Sequence, residues 1–402
     1  MRKSTLVIIA GLLAVSTAAQ AQVSDDKVKL GFLIDMSGPF SSLNGPGTVA
    51  AAELAVEDFG GKVLGAPIEL NVVDMQNKPD LASGGARRMF DSEQVDAIVE
   101  SNGTAISIAI QQIAAERNKI AITSASGSPD ITGKDCVATG FQWAYDTYAL
   151  AGGIVKPVID QGKKKWFFIT PDYQYGLTLE KSAIDEVERL GGTVVGSIHH
   201  PQGISDFSSY ILQAQASGAD VVAFASVGRD LISGMKQAAE YGLGQTASLT
   251  ALQALWPDIR AIGLQDAGGM MQMEAYFWGR DESTQKFADR FFAKRGIMPT
   301  SLQASTYSSV THYLQSVQAA GTDATDAVVA KMRELPVTDF FAPNGVVRAD
   351  NKMIHDMYLL RVKTPEESTG EWDLYDLVAT VPGDQAFMSL EATGCPLVVK
   401  QN

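Results

Sequence analysis

Over the first two thirds of the chain, short apolar runs with strand character alternate with segments whose apolar residues recur at helical spacing. The stretch from Val95 to Thr132 shows this most openly. An apolar run (Val95, Ala97, Ile98, Val99) breaks into the small polar loop Ser101-Asn102-Gly103-Thr104. A second run, Ile120 to Ile122, breaks into Thr123-Ser124-Ala125-Ser126-Gly127-Ser128. Between them Ile106, Ile110, Ile113 and Ala114 fall at i, i+4, i+7 and i+8, one buried face of a helix. Strands joined through a helix run parallel, and open parallel sheets bind ligands beyond the carboxyl ends of their strands. Both loops therefore reach one edge. They offer hydroxyls, backbone N–H groups and a helix N-terminus, which suits a small polar or anionic molecule, although loops of this composition also serve as ordinary turns.

The same alternation runs from the start. Val28–Asp35 predicts a strand, Gly45-Pro46-Gly47 opens a helix with Ala51, Leu54, Ala55 and Phe59 on one side, Ile68–Asp74 predicts the next strand and Pro79–Asp91 the next helix. After Leu150 it resumes, with strands at Trp166–Thr170, Thr193–Ile198 and Val221–Ala225 and helices at Gly176–Leu190, Asp206–Ala216 and Arg229–Tyr241. The expected class is α/β, with two successive lobes each built on a doubly wound parallel sheet. The pattern then changes. Met270–Trp278 reads as extended, and two helices follow, Glu282–Arg295 and Ser301–Ala320, with no strand between them. A helix pair without its own strand must cover an existing sheet, and the first lobe's sheet is favoured, so the chain is expected to cross back. Asn344–Asp350 reads as turn, strand and turn, His355–Val362 as an exposed-edge strand, and the tail through Cys395 lacks periodicity. The expected division is 28–145 with 279–342 for one lobe, 146–278 with 343–380 for the other, and 381–402 as a tail.

Composition narrows the setting. Met1–Ala21 carries Arg2 and Lys3, an apolar core from Leu6 to Val15 and the small-residue ending Ala19-Gln20-Ala21, the layout of a secretory signal peptide. No later apolar run approaches the roughly 20 residues of a membrane helix, so export to the periplasm as a soluble chain is expected. Loss of Arg2 and Lys3, two cations, takes the formal charge from -14 to -16, which argues against nucleic acid or anionic lipid as a partner. The 402 residues exceed what one core organises, in keeping with two lobes. Cys136 and Cys395 are the only cysteines, and in an oxidising compartment such a pair usually forms a bridge, the alternative being two buried thiols. His199, His200, His312 and His355 show no ligand spacing, so no metal is expected, and His199-His200 reads as a strand end. G-x-S-x-G, P-loop, H-E-x-x-H and dinucleotide fingerprints are absent from the sequence; neither catalysis nor a cofactor is expected.

Four segments then carry a resemblance: Lys29–Pro39 (KLGFLIDMSGP), the turn Thr170-Pro-Asp-Tyr-Gln-Tyr-Gly176, the run Ala225–Leu243 (ASVGRDLISGMKQAAEYGL), and the tail Gly394-Cys-Pro-Leu397. Together they resemble periplasmic solute-binding proteins of ABC transporters, of the branched-chain amino acid type, over essentially the whole mature chain. The resemblance implies a type I periplasmic-binding, Venus-flytrap fold with three crossover strands. It also implies a small-molecule ligand in the cleft and delivery to a membrane permease and ATPase, the membrane being met only through the permease. Carried over residue by residue, it assigns the first lobe's contacts to Ser101, Asn102, Gly103, Thr104, Ser124, Ala125 and Ser126. Tyr173 or Tyr175 takes the aromatic position near the hinge, with turn packing as the other reading.

Two departures bear on the ligand. Binders of this type place an acid from the second lobe on the ligand's ammonium group, where Thr250–Trp256 here offers only Gln253. The aromatic residue they carry near Val227 is missing as well. A buried, unpaired ammonium costs several kcal/mol, so a carboxylate without an amino group, or an amide, is expected. Phe40, Trp143, Tyr145, Tyr276, Phe277 and Trp278 are available to line an aromatic slot, which favours an aromatic or other hydrophobic acid, with hinge and core packing as their alternative role. Arg229 is a candidate clamp, with a solvated first-turn residue as the favoured reading. A branched-chain amino acid binder and a ligand-sensing receptor of the same fold are the rival functions.

Overall fold

The computed structural model describes residues 23–399; the predicted signal peptide, Met1–Ala21, lies outside the described residues. Val28–Ile34 lies inside a six-stranded sheet of spatial order Lys62–Val63, Ala66–Asp74, Val28–Ile34, Ala97–Ser101, Ile120–Thr123, Gly140–Gln142. Every pairing is parallel except that of the short Lys62–Val63 strand. Side chains of the central strand alternate between two cores. Val28, Leu30 and Phe32 share one with Ala51, Leu54 and Ala55 of helix Gly45–Asp58. Leu33 shares the other with Ala82, Ala86 and Met89 of helix Pro79–Asp91 and Ile106, Ile110 and Ile113 of helix Thr104–Glu116. A strand buried on both faces is continuously apolar, which is why these runs were legible.

The helix pair Glu282–Arg295 and Ser301–Ala320 returns to this sheet. Ser301–Ala320 lies along Gly45–Asp58 and touches the Ala97–Ser101 strand. Trp143 Nε1 donates to Ser308 Oγ at 3.0 Å, and Arg290 holds Asp58 through two 2.7 Å bonds. A further helix, Thr325–Glu334, packs beside Ser301–Ala320 through Val328, Val329 and Met332, and the sequence pattern had not marked it.

The second sheet is parallel, of order Ser248–Ala251, Val221–Phe224, Lys165–Pro171, Thr193–His200. Several of this half's elements escaped the sequence reading, among them the four-residue Ser248–Ala251 strand, helix Trp256–Ile262, and helix Thr147–Asp160, which contains Pro157. A separate antiparallel sheet joins Met271–Glu274, Met357–Val362 and Tyr375–Val381 in that order. Met357–Val362 is thus a buried central strand, not the exposed edge expected of His355–Val362. The edge is Tyr375–Val381, whose outward Leu377 and Val378 are apolar and so erased the alternation that would have announced it.

The chain passes between the two main sheets three times: after Gly140–Gln142 into helix Thr147–Asp160, from Met271–Glu274 into helix Glu282–Arg295, and through 345–356 into Met357–Val362. The first and third crossings are laced together. Lys352 Nζ donates to the Tyr145 carbonyl at 2.8 Å and stands 3.5 Å from Asp146 Oδ2; His355 Nε2 lies 2.7 Å from the Ala144 carbonyl. Burial pulls the Lys352 ammonium down to about 8, against the nearby Asp146, and the His355 imidazole to about 4, against its contacts with the Ala144 and Asp356 carbonyls. Cys136 and Cys395 are bridged, with Cα atoms 5.7 Å apart, which ties the tail to the loop ahead of Gly140–Gln142.

Candidate ligand cavity between the two sheets

The carboxyl ends of both parallel sheets face one another across a cavity of about 50 Å³. In the first sheet the strands on either side of Val28–Ile34 leave in opposite directions, the switch point at which such sheets hold ligands. That half contributes Phe40, Leu43 and Asn44 after the central strand, Asn102, Gly103 and Thr104 after Ala97–Ser101, Ala125 after Ile120–Thr123, and Leu302 from the returning helix. From the first crossing and the other half come Tyr145, Tyr173, Tyr175, Val227, Gln253 and Leu255. None of these side chains is charged.

Each wall is set by local chemistry. Asp35, buried at the end of the central strand, accepts from Gly38 N at 2.6 Å and Phe40 N at 3.0 Å, folding the 36–40 turn that presents Phe40. The Asp35 N–H donates to Asn102 Oδ1 at 3.1 Å, so the Asn102 amide is left with Nδ2 as its donor. Gly103 takes φ +91°, a conformation that disfavours a side chain, and stands at the N-cap of helix Thr104–Glu116 without a side-chain cap. Thr104 Oγ1 is buried and makes no hydrogen bond. A buried hydroxyl without a partner costs about 1–3 kcal/mol, and here it stands beside the positive end of a helix.

The opposite wall is aromatic. Tyr175 OH donates to Gln253 Oε1. The rings of Tyr173 and Tyr175 lie 6.2 Å apart, and burial pushes the Tyr145 hydroxyl up to about 12, with Gln253 and Tyr175 beside it. Tyr145 and Tyr175 close onto Gly127, where an added Cβ would sit 2.6 Å from Tyr145 Cε2 and 2.8 Å from Tyr175 Cε2. On one side the cavity widens into a mouth of about 350 Å³ that shares Phe40, Tyr173 and Val227 with it. Arg229 is exposed at that rim as the first residue of helix Arg229–Glu240.

The expected site residues divide. Asn102, Gly103, Thr104, Ala125, Tyr173, Tyr175, Val227 and Gln253 converge on the cavity. Ser101 and Ser126 turn inward instead, their Oγ atoms 2.9 and 2.6 Å from Ser107 Oγ. Trp278 lines a separate small void with Trp256, Glu274 and Tyr375. Of the other aromatics, Phe40 and Tyr145 reach the cavity; Trp143 is core, and Tyr276 OH donates to the Thr284 carbonyl.

The second loop departs most from expectation. Ser124 N and Ala125 N, expected as donors to a ligand carboxylate, are taken by a carboxylate of the protein itself. Glu100 accepts Ser124 N at 3.0 Å, Ala125 N at 3.3 Å, its neighbour Ser101 N at 2.9 Å and Thr306 Oγ1 at 3.2 Å. Burial pushes this acid up to about 7 against those donors, and no cation among the described residues pairs with it. The sequence held one signal, an acid within an otherwise apolar buried strand. Leu43, Asn44, Leu255 and Leu302 were also missed, Leu302 because only the returning helix brings it there. Among the described residues no His, Cys, Asp or Glu group could hold a metal; His199 instead pairs with Glu180 at 2.8 Å.

The family model described as periplasmic binding protein matches residues 27–370. The chain belongs to the periplasmic binding protein family. Periplasmic binding proteins are non-catalytic. The Leu/Ile/Val-binding protein homolog 8 of Brucella suis is 26% identical over 363 residues, covering 84% of this chain and 88% of the relative. A crystallised periplasmic binding protein from Burkholderia mallei is 44% identical, with a TM-score of 0.90 over 92% of this chain and 99% of its own. A branched-chain amino acid ABC transporter periplasmic ligand-binding protein from Burkholderia xenovorans is 37% identical, with a TM-score of 0.83 over 92% of this chain and 100% of its own. As a periplasmic binding protein, the chain holds its cavity where its sheets switch direction.

Proposed function

We propose that this protein is the solute-binding component of an ABC importer, working in the periplasm and handing its solute to a permease and ATPase. The solute is a small carboxylate, with its acid group at Asn102 and Thr104 and its apolar part directed toward Phe40 and the tyrosines. The observation that carries the reading is a cavity without charged side chains, lined by Asn102 and Thr104, beside which the buried Thr104 Oγ1 is unpartnered at an uncapped helix N-terminus. Such a site holds an anion by hydrogen bonds and helix dipole, and its lining side chains offer an ammonium no direct ion pair.

Size orders the candidates. About 150 Å³ holds benzene in an engineered cavity, and this one measures about 50 Å³. A short-chain acid fits as it stands. An aromatic acid needs its ring in the mouth between Phe40 and Tyr173, or a small parting of the halves.

Capture follows from the three crossings. Residues 28–145 with 279–342 and residues 146–278 with 343–380 move as two lobes, and the solute shifts the open–closed balance by its differential affinity for the closed form. A thermal-shift screen of the mature protein against acetate, butyrate, benzoate, leucine, valine and the matching amides tests the reading. Stabilisation by carboxylates lacking an amino group is expected. A response to leucine or valine alone would replace this ligand with the branched-chain amino acid that the Brucella and B. xenovorans relatives are named for.

A further inference from the structure

Glu100 is a buried acid that the binding reading does not use. It lies one peptide layer beneath the cavity floor: Ala125, which lines the cavity, donates its N–H to Glu100 Oε1, and Ser101, next to Asn102, does the same. Around it stand Ser124 and Ala125 from one loop, Thr123 from the adjacent strand, Thr306 from helix Ser301–Ala320, and Tyr145 from the first crossing, the one titratable neighbour whose hydroxyl feels its charge. No lysine, arginine or histidine among the described residues forms an ion pair with it. A solute anion held at Asn102 and Thr104 would therefore share one low-dielectric floor with a second, uncompensated negative charge. Two carboxylates in one buried site do not both stay ionised; one retains a proton.

The geometry provides a place for that proton. Glu100 Oε1 receives the amide N–H groups of Ser101 and Ala125 and shares that of Ser124, whereas Oε2 lies 3.2 Å from Thr306 Oγ1. The Thr306 hydroxyl has a second acceptor for its own hydrogen, the Leu302 carbonyl at 3.0 Å. If it donates there, its lone pair is free to accept a bond from a protonated Oε2. Both states of Glu100 are thus hydrogen-bonded without moving the backbone.

We infer that Glu100 is a specificity-determining residue: capture of a monocarboxylate at Asn102 and Thr104 is coupled to uptake of one solvent proton onto Glu100 Oε2, so the site accepts an anion only as anion plus proton. This rests on the carboxylate reading above. The free carboxyl, held near 7 by burial, is poised to respond in either direction. By linkage the bound anion favours the protonated acid and the protonated acid favours the anion equally.

The test is calorimetric titration of the full mature protein with benzoate and with acetate at pH 7.5, in phosphate and in Tris, whose ionisation enthalpies differ. The expected result is proton uptake of roughly 0.5–1 per site and an affinity that falls up to about tenfold per pH unit above 7, the limit for one linked proton. Glu100→Gln should abolish both the uptake and the pH dependence, and Thr306→Val should weaken the uptake. The wild-type buffer comparison stands alone if either variant folds poorly. Equal heats in both buffers, or proton release, with binding intact would overturn the coupling and leave the carboxylate reading standing. No heat with any carboxylate would instead overturn that reading.

Discussion

The loops after the two adjacent strands Ala97–Ser101 and Ile120–Thr123 look alike in sequence, yet they do different work. Each leaves a buried parallel strand, each is rich in small hydroxyl residues, and each ends at the same sheet edge. The first brings Asn102, Gly103 and Thr104 to the cavity: Asn102 is oriented by the Asp35 N–H, and Thr104 Oγ1 is left without a partner. The second directs its N–H groups to Glu100 and the hydroxyl of Ser126 to Ser107; its unpartnered Ser124 Oγ does not line the cavity, to which it presents only Ala125. Donors count toward a ligand only when the protein has not already satisfied them, and a single buried acid on the neighbouring strand is enough to do so.

The sharpest way to break this contrast is the pair Asn102→Ala with Thr104→Val. Hydrogen bonds to a charged group contribute about 1.5–3 kcal/mol each, so the solute's dissociation constant should rise by at least about 100-fold, read by calorimetry. An unchanged constant would show that the first loop is not the donor side. Gly127→Ala comes next. Its Cβ would press on Tyr145 and Tyr175 at 2.6 and 2.8 Å, and overpacking of this kind costs about 1–3 kcal/mol. Affinity should fall about tenfold with a lower melting temperature.

Third is the pH dependence of stability. Glu100 and Asp258, both held near 7, and Glu274, held near 8, all stand above their ordinary values through burial. A carboxyl raised in the folded state contributes stability that is fully present below its unfolded value and lost as pH rises through its folded value. The melting temperature should therefore fall between pH 5 and pH 8, by about 1 °C for each kcal/mol lost in a chain of this length. Glu100→Gln should flatten part of that slope, whereas a stability rising across this range would contradict the burial of these acids. The smallest effect is expected from Ser126→Ala and Trp278→Phe. Neither side chain lines the cavity, so the dissociation constant should stay within about twofold, the usual range for a substitution away from the contacts.

Much of the fold was legible because both main sheets are parallel and buried. Strands such as Phe167–Ile169 and Val221–Phe224 are unbroken apolar runs, and helices Pro79–Asp91, Glu282–Arg295 and Ser301–Ala320 fall at the predicted boundaries. The misses share a cause. Ser248–Ala251 and Tyr375–Val381 lack a two-residue alternation, and helix Thr147–Asp160 is interrupted by Pro157, so their identity comes from neighbours rather than from pattern. Of the cavity, Asn102, Gly103, Thr104 and Ala125 could be located from sequence because topology fixes where strand ends lie, whereas Tyr173, Tyr175, Val227 and Gln253 came from the family resemblance. Tyr145 was visible only as one of several aromatics.

The sequence by itself determined the α/β class, the two successive sheets, the return of the helix pair and the edge at which a solute would be met. It could do so because period and burial are written residue by residue along each element. The tertiary structure alone decided which polar groups at that edge remain free. That outcome depends on contacts between residues far apart in the chain, such as Glu100 with Thr306 and Lys352 with Tyr145, and on a buried charge drawing in every donor within reach.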